Sequence, residues 1–229
     1  MRAQISIVIP TLNAAASLPA VLEALMEGLH TGLIRELVIS DGGSSDETLQ
    51  IADEAGAHVI SGPASRGGQL RRGCAAAQGS WLLVLHADTV LDAGWSNEVH
   101  RHITTGRGAA YFRLAFRARG VMPGLVAGWA NLRARLFGLP YGDQGVLVSQ
   151  HAYGRAGGFA DQPLMEDVAL VRALRRAGVA LDMLPVRALT SAARYQRAGW
   201  IRRGARNLWT LARYFAGVSP ERLAEEYRR

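Results

Sequence analysis

The sequence predicts an α/β fold, a mostly parallel central sheet with helices on both faces, within a single domain. Three observations lead there. The 229 residues suffice for one sizeable α/β domain and are few for two. Apolar residues make up 49%, enough for a packed core and too many for global disorder. Up to about Asp92, short apolar runs alternate with helical patterns across short connections, as parallel strands with crossover helices require.

Ile5 to Ile9 is a short β-branched run and reads as a buried strand. Ser17 suits the cap of a helix whose Leu18, Val21, Leu22, Leu25 and Leu29 share a face. Glu36 to Ser40 is the next strand, ending at a turn and helix start over Asp41–Asp46, with Ser44 or Ser45 as cap. Ala57 to Ser61 and Trp81 to Leu85 read as strands flanking a helix over Arg66–Gln78. These residues, about 1–92, form the first half. Beyond them the pattern loosens. Ala109 to Phe116 and Val146 to Ser149 read as strands, separated by an apolar stretch, Gly120–Phe137, that Gly and Pro interrupt. Met165 to Ala177 reads as a helix and Val179 to Leu184 as a strand. The tail, about 201–229, is helical and breaks near Gly217–Pro220. Residues 93–200 read as the acceptor half of the same domain.

The formal charge is +7, from 26 basic residues, all arginine, against 19 Asp plus Glu. Such a surface suits phosphate, acidic lipid or nucleic acid, or is simply a solvated basic face. The single cysteine, Cys74, forms no internal disulfide and allows no zinc spacing, in keeping with a reducing cytoplasm. The N-terminal apolar run is too short for a signal peptide and is broken by Ser6 and Pro10. No stretch reaches the roughly 20 apolar residues that span a bilayer. The expectation is a cytoplasmic chain, soluble or peripheral to the inner membrane face. The peripheral reading rests on Val121–Val126 with Trp129 and on Ala205–Phe215, which mix apolar residues with arginine. The other reading packs Leu208, Leu211 and Phe215 on the core.

Ligands of a parallel sheet gather beyond the carboxyl ends of its strands. There Pro10, Thr11 and Asn13 end the first strand, and Asp41 and Gly42 end the second. Asp41 can accept from a base or ribose, or with Ser44 merely cap a turn. Arg66-Gly67-Gly68 precedes a helix, where glycines allow close backbone approach and the helix N-terminus favours an anion. His86-Ala87-Asp88 follows the most apolar strand. A carboxylate there can hold Mg²⁺ or Mn²⁺ between two phosphates, with His86 as a second ligand or a contact to a ligand-borne group. Gly142-Asp143-Gln144-Gly145 is rich in turn formers. Glu166 and Asp167 open a helix, as a favourable first turn or as a general base.

In this order and spacing, the pieces resemble the family 2 glycosyltransferases, whose A-type fold is a Rossmann-like nucleotide-diphospho-sugar transferase domain. Ile7–Asn13 resembles the family's opening strand. Val38–Asp46 resembles its V-D-D-G-S-x-D element, with Ser40 in place of the first Asp and Asp41 in the second. Leu85–Asp88 resembles the D-x-D motif with His86 in place of the first acid, and Met165–Asp167 resembles the E-D motif. The likeness runs over about residues 4–200 and is nearest to small bacterial members that lack a transmembrane tail. It implies an inverting transfer from a UDP- or GDP-sugar to an unidentified hydroxyl acceptor. Asp167 is then the base and Glu166 its orienting neighbour, Asp88 is the metal ligand, and Asp143 and Gln144 meet sugar or acceptor. Arg194-Tyr195-Gln196-Arg197-Ala198-Gly199-Trp200 resembles, imperfectly, the Q/R-x-x-R-W element of processive synthases, which makes Arg194 and Arg197 candidate pyrophosphate contacts. Two alternatives stand beside this. A nucleotidyltransferase on the same fold would carry Gly, Arg and Lys after the first strand, where this chain has Asn13-Ala14-Ala15-Ala16-Ser17. A non-catalytic nucleotide-sugar binder would explain His86. No nucleic-acid module is present, so no nucleic-acid partner is expected.

Overall fold

Strands from both halves of the chain join one eight-stranded sheet in the order β3-β2-β1-β4-β7-β6-β8-β5. The computed structural model describes residues 3–105 and 108–228. Met1 and Arg2, the start of the N-terminal run, lie outside the described residues.

The first half is built as the alternation predicts. β1 (Ile5–Thr11), β2 (Ile34–Asp41), β3 (His58–Ser61) and β4 (Trp81–Val84) are mutually parallel. Helices α1 (Leu18–His30), α2 (Thr48–Glu54) and α3 (Arg66–Ala76) connect them. Alternation along β1 explains why both faces are covered. Ile5, Ile7 and Ile9 enter one apolar cluster with Leu18, Val21 and Trp95, while Val8 enters another with Leu70, Cys74 and Val84.

The second half extends the sheet with mixed polarity. After β5 (Val90–Leu91) and α4 (Trp95–Thr104) come β6 (Ala109–Phe116) and α5 (Val121–Phe137). A single 3₁₀ turn, Gly142–Gln144, leads into β7 (Val146–Ser149) and α6 (Gln150–Arg155). Then follow α7 (Glu166–Arg176), β8 (Leu181–Thr190), α8 (Ala193–Ala198), α9 (Trp200–Phe215) and α10 (Pro220–Arg228). β7 runs antiparallel to β4 and β6, β8 is parallel to β6, and β5 is antiparallel to β8. Six strands therefore share one direction.

Several boundaries differ from the sequence expectation for identifiable reasons. α4 was not expected, because its cap is remote: the Glu27 carboxylate accepts from Gly94 N at 2.8 Å and Ser96 N at 2.9 Å. α5 is one helix despite Pro123, which sits in the first turn where its missing N–H costs nothing. Ser17 makes no side-chain cap and Leu29 is exposed. The start of α2 is tied by Asp46, whose Oδ1 accepts from Thr48 N at 3.1 Å, and not by Ser44 or Ser45. β8 runs on to Thr190, through Pro185.

Candidate active site

A cavity of about 620 Å³ opens where the chain leaves β1 in one direction for β2 and in the other for β4. This is the switch point of the sheet, and the ends of both strands contribute to its wall.

On the β1 side the loops bind each other. Asp41 is fully buried and its carboxylate takes four donors: Thr11 Oγ1 at 2.8 Å, Ser44 Oγ at 2.6 Å, Gly43 N at 2.7 Å and Ser44 N at 2.8 Å. Burial opposes its ionisation, yet the donors from Ser44, Thr11 and Gly43 hold its pKa below the ordinary carboxylate value. Asn13, at φ 49°, accepts from Ser45 N at its Oδ1 at 2.9 Å, and its own N–H donates to Ser44 Oγ. Gln69 closes the network by donating to the carbonyls of Thr11 and Ser40.

On the β4 side the carboxylates are less satisfied. Arg66 pairs with buried Glu166, Nε to Oε1 at 2.8 Å, and its guanidinium lies 2.9 Å from His86 Nδ1. Burial opposes the charge of Arg66, but Glu166, Asp167, Asp88 and Asp143 outweigh it and raise its pKa. His86 is held well below its ordinary pKa by burial, and then by Arg66 and Arg194, so its ring is neutral. Asp143 is pushed up to about 6 by burial, with Arg133 opposing and Asp167 adding repulsion, and its Oδ1 meets no partner. Burial also raises Glu166 against the pull of Arg66.

Asp167 differs from its neighbours. Its Oδ2 accepts from Gly142 N at 2.6 Å and its Oδ1 from Val168 N at 2.7 Å. A carboxylate has about four lone-pair positions, so two stay open toward the cavity. Gly142 is required here, since a Cβ would stand 2.5 Å from His86 Nε2. Among the described residues the Asp88 side chain, by contrast, takes no hydrogen bond or ion pair, and its backbone oxygen is approached by Arg117 at 3.5 Å.

Residues 6–122, just over half of the chain, match the description "Glycosyl transferase family 2". The chain belongs to the family 2 glycosyltransferases. A "PGL/p-HBAD biosynthesis glycosyltransferase" of Mycobacterium tuberculosis is 44% identical over 93 residues, 38% of this chain. An "uncharacterized glycosyltransferase" of the same organism is 37% identical over 91 residues, 39% of this chain. The chain spans only 36% and 39% of the length of these two relatives. The fold is that of glucosyl-3-phosphoglycerate synthase from M. tuberculosis, solved with Mn²⁺, UDP and phosphoglyceric acid. The TM-score is 0.59 at 24% identity, covering 80% of this chain and 68% of that one. A structure of that enzyme with Mg²⁺ and UDP gives 0.59 at 23% identity, covering 80% and 69%. These likenesses identify the sheet as an A-type glycosyltransferase fold.

Within this family 2 fold, Pro10, Thr11, Asn13, Arg66, His86, Asp88, Asp143, Glu166, Asp167 and Arg194 all reach the cavity wall. Five expected site residues do not. Asp41 and Gly42 lie behind the wall, with Gly42 N bonded to Thr11 O and its Cα face against Gln69. Gly67 serves packing, since a Cβ would strike Ala160 O at 2.1 Å and its N–H donates to Gln162 O. With Ser65 Oγ accepting from Gly68 N, the start of α3 has no free donors at these positions for an anion. Gln144 is fully buried, its amide donating to Phe112 O and Asn131 Oδ1, so it fixes the turn that carries Asp143. Arg197 is exposed outside the cavity. Both Glu166 and Asp167 line it, although Glu166 turns to Arg66. Sequence reasoning missed Tyr141, Tyr195, Arg203, Asn207 and Tyr227 on the far wall. Tyr227 Oη donates to Asn207 Oδ1 at 2.9 Å and accepts from Arg203, tying α10 to α9 across the cavity edge. No local motif marks Tyr141, Arg203, Asn207 or Tyr227, and Tyr195 is an unspecified position of the Arg194–Trp200 element.

Proposed function

We propose that this chain transfers a sugar, with inversion, from a UDP- or GDP-sugar to a hydroxyl acceptor. The observation that carries the reading is the sharing of one cavity by the pinned Asp167 and the unpartnered Asp88, beyond the ends of β1 and β4. The acceptor oxygen attacks the anomeric carbon, and Asp167 takes the proton. The bond from that carbon to the phosphate oxygen breaks, and the electron pair leaves with the nucleoside diphosphate. Arg194, exposed at the wall, and Arg66, fixed by Glu166, bring positive charge to that leaving group. UDP in the solved relatives supports a uridine donor.

A divalent cation fits this site in one way only. Among the described residues no three His, Cys, Asp or Glu side chains form a metal cage. One carboxylate without a protein donor, Asp88, fits a cation shared with substrate phosphates, as Mg²⁺ and Mn²⁺ are in such sites. When bound there, the cation supplies charge that favours departure of the diphosphate. The Mn²⁺ and Mg²⁺ of the solved relatives support this part of the reading. A second assignment of the base is favoured by one observation: Asp143 has an orphan Oδ1 and a pKa near 6, the poise of a general base. A cytoplasmic location with peripheral membrane contact completes the reading, supported by the apolar and arginine-rich α5 and α9. No helix among the described residues is long and apolar enough to cross a membrane.

Titration calorimetry with UDP and GDP, with and without Mn²⁺, tests the donor site. Binding should tighten with Mn²⁺, and Asp88→Asn should lose that gain while staying folded. Equal metal dependence in Asp88→Asn would remove Asp88 as ligand. Binding without transfer or slow donor hydrolysis would leave a non-catalytic binder.

A further inference from the structure

Helices α5 and α9 wear their large apolar side chains on the outside. On α5, Val121, Leu125, Trp129, Leu132 and Leu136 recur every three or four residues and are all exposed, Val121 to 76% and Leu136 to 65%. Its buried face carries Pro123, Ala127, Ala130 and Ala134 together with Arg133, and no large apolar side chain. On α9, Ile201, Leu208, Trp209 and Phe215 are exposed, Ile201 to 77% and Trp209 to 66%. The polar Arg203 and Asn207 of α9 turn inward and line the cavity, with Asn207 donating to Tyr195 Oη at 2.9 Å. A helix of a globular protein ordinarily does the reverse. Only Leu211 of the expected core contacts is buried. The two helices pack against each other, so their outer faces adjoin.

The charge around this surface is mostly positive, although Arg213 of α9 pairs with Glu226 of α10 and Arg187 with Asp92. Residues 113–142 and 183–220, which build it, contain twelve arginines and no Asp or Glu, and the chain has no lysine at all. Arg119, Arg135 and Arg202 are exposed and pair with no carboxylate among the described residues. We propose that the outer faces of α5 and α9 form a docking surface for an anionic bilayer. This deepens the peripheral-contact part of the reading above and is independent of the transfer chemistry. Aliphatic side chains and the two tryptophans enter the headgroup boundary, where indole rings sit well, and the guanidinium groups engage lipid phosphates. A second copy is a poor occupant, because two such faces would bring arginines against arginines. Nucleic acid matches the arginines and leaves the aliphatic ridge without a partner.

Co-sedimentation with vesicles decides the matter. The probes are phosphatidylcholine vesicles and phosphatidylcholine vesicles containing one-third phosphatidylglycerol. The full chain should pellet with the anionic vesicles, lose that binding as salt rises, and bind neutral vesicles far less. Each surface arginine contributes roughly fivefold to such binding, so Arg119→Glu with Arg135→Glu and Arg202→Glu should weaken it by roughly a hundredfold or more. Ile201→Ser with Trp209→Ser should also release the protein, and both side chains are exposed enough for the fold to persist. UDP binding by calorimetry should be unchanged in both variants, which separates docking from donor recognition. Absence of binding to anionic vesicles at low salt would overturn the proposal. So would undiminished binding by both variants, or a dimer in light scattering that Ile201→Ser with Trp209→Ser converts to monomer.

Discussion

The two sides of the cavity hold similar acids in opposite states. Asp41, the last residue of β2 and just behind the wall, faces four donors, and its pKa is lowered. Asp143 and Glu166 sit across the cavity with fewer donors for their charge and with other acids beside them, and their pKa values are raised. Position at a strand end or helix start is the same kind of signal for both. The donor count separates them: a carboxylate whose lone pairs are filled by the chain organises a loop, and one with room left is available to a ligand.

That contrast can be broken most sharply at Asp167. Asp167→Asn should cut turnover by roughly 10²–10⁴-fold while leaving UDP affinity near wild type, since the base acts in the transition state. Glu166→Gln should cost less. Substantial transfer by Asp167→Asn together with an inactive Asp143→Asn would move the base to Asp143. On the other side, Asp41→Asn should act on stability. It places an amide N–H against donors and should lower unfolding free energy by about 3 kcal/mol in a denaturant titration. A neutral result would mean that the loop network is not what holds this wall.

Smaller effects sharpen the picture. Arg194→Ala should weaken UDP binding roughly tenfold, the scale of one charge-assisted hydrogen bond at an accessible site, while Arg197→Ala leaves it unchanged. Equal losses would place both arginines on the ligand. The pH dependence should be the mildest signal. Because Asp143 is raised from 3.8 to about 6, the unfolded chain releases this proton first as pH climbs. Its contribution to stability is present below about pH 4 and fades on the way to about pH 6. Asp41, lowered, behaves in reverse: its contribution stands above about pH 4 and is lost on acidification. Unfolding midpoints across this range should therefore decline less in Asp143→Asn than in wild type, and identical slopes would argue against the burial of Asp143.

The first half of the fold was legible because its strands are short apolar runs with period two and its acids fall at strand ends. The cavity lining was legible where a side chain reaches it from a strand end, the loop past a strand or the first turn of a helix, as with Thr11, Asp88 and Asp167. It was not legible where direction matters within a turn. Asp143 and Gln144 are neighbours in one 3₁₀ turn, yet one faces the cavity and the other is buried in the protein. Nor do the glycines after Arg66 reveal in sequence that the segment over Ala160–Gln162, not a ligand, lies against Gly67. Arg203, Asn207 and Tyr227 reach the cavity from helices after the last motif, so only the tertiary arrangement brings them there. The same holds for α4, whose start depends on Glu27, far back in α1.

Asp167 and Asp88 also differ in freedom. Gly142 N and Val168 N fix the Asp167 rotamer before any ligand arrives, so in the proposed reaction the entropy of orienting that group is lost during folding and not in each cycle. Asp88 has no such hold among the described residues, and in the proposed reaction its order comes from the bound donor and cation. One carboxylate therefore dictates where its partner atom must come, and the other follows its partner. The cavity wall is rigid at one end and compliant at the other.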